Sequence, residues 1–283
     1  EELQAAITAG GGHINVESLS ELDRLATLAG MQGAKVHVGI RINPDVTADT
    51  HPYISTGQGG LKFGIPLDQL DTAFAILAES DALVLDAIAM HLGSQLLDPA
   101  PWVAGMAPLL AAVRRARDEG HPVTVLDIGG GLGIRYRDEV PLDPAVLIGA
   151  IRGLLAESGC REVRIEPGRY LVGSAGTLLT KVLHRKQSGG HELAIVDAGM
   201  NDLLRPALYR AWHEIVPVAS WPGEAEPTDI VGPVCETGDF LALGRPLVPV
   251  PPGALLAVLG AGAYAFVMSS NYNSRARAAE VLV

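Results

Sequence analysis

The sequence predicts an α/β region followed by a β region, and three observations carry that reading. Up to about residue 175, short β-branched apolar runs alternate with helical patterns, the rhythm of βαβ units with parallel pairing. Beyond it, β-like runs follow one another across turns such as Ser188-Gly189-Gly190 and Pro251-Pro252-Gly253, with little helical pattern between them. The 283 residues are 48% hydrophobic and 19% charged, enough core for two modest domains and far from a disordered composition. The predicted domains are 1–175 and 176–283.

The elements follow in order. Glu1 to Ala9 reads as the last turns of a helix, and the chain begins on Glu rather than Met, so the start is expected to be a cut. His13 to Val16 is a strand, and Ser18 with Glu21 opens a helix at capping-box spacing. Val36 to Ile42 is the second strand, and Leu67 to Ala78 is helical. Leu85 to Met90 is the third strand, ending in His91-Leu92-Gly93-Ser94. Pro101 to Glu119 is an Ala- and Leu-rich helix stopped by Gly120. Val123 to Ile128 runs into three glycines, Leu147 to Glu157 is helical, and Val163 to Ile165 runs into Glu166-Pro167-Gly168-Arg169. Five βα units do not close an eight-stranded barrel, so an incomplete β/α barrel competes with an open doubly wound sheet. In the second region the expected strands are Leu178 to Leu183, Glu192 to Val196, Ile215 to Val218, Asp229 to Val231, Phe240 to Leu243 and Ala254 to Leu259.

A net charge of −11 argues against a nucleic-acid or anionic-membrane surface. No apolar run reaches the ~18 residues of a membrane span. Two cysteines, Cys160 and Cys235, make no disulfide framework, so a cytoplasmic location is expected. No metal site is expected.

The chemistry collects at strand ends. Gly129-Gly130-Gly131 lets backbone amides approach a phosphate, although such a turn alone also reads as a tight connection. His91 can lie against a flat ring and Ser94 can bond phosphate, although a core histidine before a turn reads the same way. Glu166 can pair with a protonated pyridine nitrogen, and Arg169 can clamp a phosphate or carboxylate; alone, the two make an ion pair bracing a turn. Cys235, next to Glu236, can donate a proton to carbon, where a lone cysteine is more often a small buried hydrophobe. Arg205, Tyr209 and Tyr264 suit carboxylate and phosphate recognition, or else surface pairing. Asn271 to Arg275 reads as structural.

The ordered set of RINPDVTADTHPYISTG (41–57), LKFGI (61–65), HLGSQ (91–95), LDIGGGLGI (126–134), EPGRYLV (166–172), DAGMNDLLRPALY (197–209), VGPVCETGDFLA (231–242) and GAYAFVMSSNYNSR (262–275) resembles the diaminopimelate decarboxylase family, within the alanine-racemase-like group of pyridoxal-phosphate enzymes. The resemblance runs almost the whole length. It implies a β/α barrel, here five of its eight strands, followed by a mostly antiparallel C-terminal β-domain. It also implies pyridoxal 5'-phosphate as cofactor, a small amino-acid substrate and a homodimer with shared active sites. By motif match, His91 packs on the cofactor ring, Ser94 and Gly129 to Gly131 hold its phosphate, and Glu166 bonds its pyridine nitrogen. Gly168 belongs to the same cofactor-binding motif. Arg169, Arg205 and Tyr209 bind substrate, Arg169 also lying near the phosphate, and Tyr264 touches both cofactor and substrate. Cys235 and Glu236 reach into the site of the second copy, Cys235 as proton donor and Glu236 on the substrate's distal amino group. The distal end of diaminopimelate carries a carboxylate and an ammonium, a pair matched by Arg205 and Glu236. Ornithine has no distal carboxylate, which favours diaminopimelate. Decarboxylation of another diamino acid or a carboxylated polyamine is the alternative, and a non-catalytic relative is a third reading.

One departure stands out. Members of this family carry a Schiff-base lysine in an Ala-x-Lys-Ala-Asn-like segment. The four lysines here are Lys35, Lys62, Lys181 and Lys186, and none has that context. The expectation is therefore a chain lacking the N-terminal portion and its lysine, weak in cofactor capture and turnover, and poorly soluble through its open strand edges.

Overall fold

Strands with an apolar face demand cover on that face, and amphipathic helices supply it along the first part of the chain. The structure, a computed structural model, describes residues 1–10, 12–46 and 62–283. Within the 41–57 and 61–65 motifs, residues 47–57 and Leu61 lie outside the described residues. The chain divides into two units, residues 1–133 with 142–167, and residues 134–141 with 168–283.

The first unit contains α1 (Glu2–Thr8), β1 (Ile14–Val16), α2 (Leu19–Gln32), β2 (Val36–Asn43), β3 (Ile65–Pro66), α3 (Leu70–Ala78), β4 (Leu83–Ala89), α4 (Ala100–Asp118), β5 (Val125–Gly130), α5 (Pro144–Glu157) and β6 (Glu162–Glu166). Ser18 Oγ accepts from the Glu21 N–H at 3.2 Å while Glu21 Oε2 accepts from the Glu17 N–H at 2.8 Å, so the expected cap forms. Asp143 caps α5 through the Ala145 N–H, with Pro144 in the first turn; the helix therefore starts ahead of the expected Leu147. The strand order is β1-β2-β4-β5-β6, all parallel, and β3 adds two pairs at the C-terminal end of β2. Each strand joins the same growing edge and the order never reverses. That is the wall of a β/α barrel; a doubly wound sheet would reverse at a switch point. Val38, Ile40, Ile42, Leu85, Ile88, Leu126 and Ile128 share one core with helix residues Leu22, Leu25, Leu109 and Ile151. The strand residues between them turn to the opposite face, which is left polar.

The second unit contains α6 (Gly168–Val172), β7 (Leu178–Ser188), β8 (His191–Val196), α7 (Arg205–Tyr209), β9 (Ile215–Pro217), β10 (Glu226–Val231), β11 (Phe240–Leu247) and β12 (Leu255–Val258). Its sheet runs β11-β10-β8-β7-β12-β9. All pairs are antiparallel except β8 with β10, which run parallel. Gly189 and Gly190 both take positive φ, the requirement of a two-residue hairpin between Ser188 and His191. The core is built from Val182, Val196, Ile230, Leu241, Leu256 and Val258. Helices α6 and α7 have no counterpart in the sequence reading, because five residues are too few to show a helical period.

Candidate active site

In the first unit the polar groups collect on the face of the sheet away from the helices and at the C-terminal strand ends. His13 Nε2 lies 3.1 Å from Asn15 Oδ1. Asn15 Nδ2 donates to Asp127 Oδ2 at 3.2 Å, and Asp127 Oδ1 accepts from the Gly129 N–H at 2.9 Å. A Cβ at Gly39 would land on the His13–Asn15 pair, so the bare position in β2 makes room for this layer. His13 and His37 both face Asp86, and Arg41 pairs with Glu17 at 2.6 Å.

His91 and the glycine turn interlock with these groups. The Gly130 N–H donates to His91 Nδ1 at 3.1 Å, which places the ring proton on Nε2. Burial, then the Arg41 charge, lower the His91 pKa to about 4, so the ring is a neutral imidazole. Gly129 and Gly131 sit at positive φ. A Cβ at Gly129 would strike the Met90 carbonyl, one at Gly130 the Glu166 carbonyl, and one at Gly131 the Gly93 carbonyl. The three glycines let three strand ends meet. Ser94 lies half-buried in the adjoining turn. Glu166 closes β6 with its side chain half-exposed and Oε2 3.9 Å from His91 Nδ1. Burial, then the Asp127 charge, raise its carboxyl above the ordinary range.

The second unit gathers a different set. Arg169 is buried, and its Nη1 donates to the Tyr136 hydroxyl at 2.7 Å while its guanidinium lies 4.6 Å over the Tyr264 ring. Arg205 is buried at the start of α7, its guanidinium 4.4 Å over the Tyr136 ring and its Nη1 2.7 Å from His213 Nε2. Tyr264 holds a left-handed φ of 57°, uncommon for a bulky residue and concentrated at functional sites. Tyr209 ends α7 half-buried. Cys235 and Glu236 are exposed in the 232–239 turn. Asp239 pins that turn by accepting from the Met200 and Val234 N–H groups. Glu236 accepts from the Tyr272 hydroxyl at 2.5 Å, which ties the segment read as structural to a predicted site residue.

The structure thus brings together His91, Gly129, Gly130, Gly131 and Glu166 in one unit, and Arg169, Arg205 and Tyr264 in the other. Gly168 opens α6 without close neighbours at its Cβ. Sequence reasoning missed Asn15, Asp127, Tyr136 and His213. Asp127 lies inside a quoted motif and was open to detection; Tyr136 and His213 carry no local signal.

The donor set fits pyridoxal phosphate. A neutral imidazole at a strand end suits an aromatic ring, a carboxyl suits a ring N–H, and a serine hydroxyl beside a glycine turn that carries no Cβ suits a phosphate. Buried His213 and part-buried His91 also predict an acid-sensitive fold. His213 is fully buried and, like His91, has its pKa lowered from 6.5 to about 4, chiefly by burial. As pH falls through 6.5 the unfolded chain takes up these protons and the folded chain does not, until about pH 4. Stability is intact above that window and falls across it, by on the order of 3 kcal/mol per histidine. Denaturant midpoints measured from pH 7.5 to 4 should decline, and a His213→Gln variant should decline less. A flat wild-type profile would contradict the neutral rings.

Residues 1–173 match the family described as pyridoxal-dependent decarboxylase, pyridoxal binding domain. The diaminopimelate decarboxylase of Pseudomonas aeruginosa is 49% identical over the whole chain, which covers 68% of that relative. The Aquifex aeolicus diaminopimelate decarboxylase is 44% identical over the whole chain, which covers 67% of it. The crystal structure of the Helicobacter pylori diaminopimelate decarboxylase complexed with L-lysine superposes with a TM-score of 0.91 at 36% identity, over 98% of this chain and 69% of that one.

Proposed function

The chain belongs to the diaminopimelate decarboxylase family of pyridoxal-dependent decarboxylases, and on that premise we propose that it decarboxylates meso-diaminopimelate to L-lysine. The observation that carries the substrate is buried Arg205, a cation for a distal carboxylate that ornithine lacks.

Pyridoxal phosphate, when bound, supplies the sink for the electron pair left at Cα as CO2 departs. The chain's own residues bind, orient and move protons. Neutral His91 would lay its ring on the cofactor. Ser94 and the Gly129–Gly131 turn would hold its phosphate, and Gly168 belongs to the same binding set. Glu166 would hold the proton on the pyridine nitrogen. Arg169, Arg205 and Tyr209 bind substrate carboxylates, and Tyr264 orients both molecules. Cys235 Sγ protonates Cα and Glu236 takes the distal ammonium, both in the site of a second copy. Their exposure here supports that homodimer assignment. The free thiols Cys160 and Cys235 support a cytoplasmic setting. No helix among the described residues is long and apolar enough to cross a membrane.

Lys35 precedes the N-terminal end of β2, Lys181 and Lys186 lie on β7, and the Lys62 ammonium sits 5.2 Å over the Phe63 ring. We propose that none of them carries the cofactor and that turnover belongs to a chain of the relatives' full length. In that enzyme, CO2 release from meso-diaminopimelate should exceed release from L-ornithine or L-lysine by at least about 100-fold in kcat/KM, as expected where a buried charged group is left unmatched. Equal or faster release from ornithine would overturn the substrate. Borohydride trapping with peptide mapping should label none of the four lysines; a labelled Lys62 would overturn that assignment.

A further inference from the structure

His213 has no place in the chemistry above, yet it is fully buried and touches Arg205 directly. Its Nδ1 lies 2.9 Å from the Leu259 carbonyl, which can only accept, so Nδ1 carries the proton. Its Nε2 therefore presents a lone pair to the Arg205 guanidinium, which can only donate. The neutral Nδ1–H tautomer alone satisfies both neighbours, and the depressed pKa agrees with it. The ring is braced edge-on against Tyr136, 5.3 Å between centroids, and the His213 carbonyl accepts from Arg245 Nη1 at 2.7 Å. Among the described residues no carboxylate pairs with Arg205; its other near neighbours are the Tyr136 ring, the Arg169 guanidinium and the Tyr209 and Tyr264 side chains. A neutral acceptor fixes the direction of a guanidinium without cancelling its charge. A carboxylate in its place would fix it equally well and use up that charge.

We propose that His213 is a positioning residue that sets the preference for a distal carboxylate by holding Arg205 oriented and uncompensated. This rests on the substrate reading given above. The test compares wild type, His213→Leu and His213→Gln in cofactor-loaded enzyme. Gln reaches the Nε2 position with an acceptor; Leu does not. KM and kcat are measured for meso-diaminopimelate. Binding of meso-diaminopimelate and L-lysine is measured by calorimetry after borohydride reduction, which stops turnover. His213→Leu should raise KM for diaminopimelate about 10–100-fold with kcat within about threefold, and should erase the preference over lysine by a similar factor. His213→Gln should stay within about threefold of wild type. A His213→Leu enzyme that keeps the preference overturns the proposal alone. Equal losses of kcat, KM and melting temperature in both variants show a merely structural role and also overturn it. A wild type without the preference overturns the substrate reading first. Nitrogen NMR of the wild type guards against a variant that does not fold: an Nδ1–H tautomer at neutral pH is expected, and an Nε2–H signal sinks the idea.

Discussion

Replacing Glu166 with Gln lowers kcat by about 10²–10³-fold while the fold survives, the magnitude typical of removing one group aimed at charge developing in a transition state. Glu166 ends β6, half-exposed, with its carboxyl raised by burial and by Asp127. On the proposed assignment, a carboxylate there would hold a proton on the pyridine nitrogen of bound pyridoxal phosphate, and the ring would then accept electrons readily. The amide has the same shape but no charge, so the cofactor still docks while its electron-withdrawing power falls. Removing one of two neighbouring acids relieves repulsion on Asp127, so the melting temperature should hold or rise slightly. Saturating-substrate rates, read beside the cofactor absorbance, separate the two effects. Wild-type kcat in Glu166→Gln would remove this residue from the ring nitrogen.

A single methyl group at Gly130 should do comparable harm through structure. The new Cβ would fall on the backbone carbonyl of Glu166, to which Gly130 is paired in the β5–β6 ladder. A backbone carbonyl has no rotamer to escape into, so the strands must part. Overpacking of this kind costs about 2–4 kcal/mol. The same shift displaces Glu166 and breaks the Gly130 bond to His91, so cofactor retention should fall by at least about tenfold. Gly153→Ala is the matched control. It lies in α5 with nothing within 4 Å of its Cβ, and should gain about 0.5–1 kcal/mol from helix propensity. Chemical denaturation of both variants decides the matter; a Gly130→Ala protein as stable as wild type would show that the strand ends do not meet as described.

The parallel wall was legible because strands such as β2 and β5 are rich in β-branched and apolar residues, alternate with helical patterns, and exit into glycines or polar residues. The capping pair Ser18–Glu21 was legible for the same local reason. The start of α5 was also written locally, in Asp143-Pro144, but the apolar period that marks the helix begins only at Leu147. Pairing direction was not legible: nothing in β8 or β10 alone says that they run parallel. The polar layer was missed because its bonds join residues far apart, Asn15 to Asp127 across 112 positions. Tyr136 and His213 were missed likewise, each giving a lone ring in sequence and a shared contact with Arg205 only in space.

The excursion at residues 134–141 leaves one structural unit and returns to it, carrying Tyr136 into the other. The units are therefore not two consecutive stretches of chain. A chimera or a proteolytic fragment divided at Pro167 would leave Tyr136 on one side of the cut and its two arginines, Arg169 and Arg205, on the other. Natural recombination at that junction meets the same obstacle, since both arginines would inherit a tyrosine from a different parent. Evolution can exchange these units cleanly only where both parents keep this ring, so the loop ties the history of one half of the chain to that of the other.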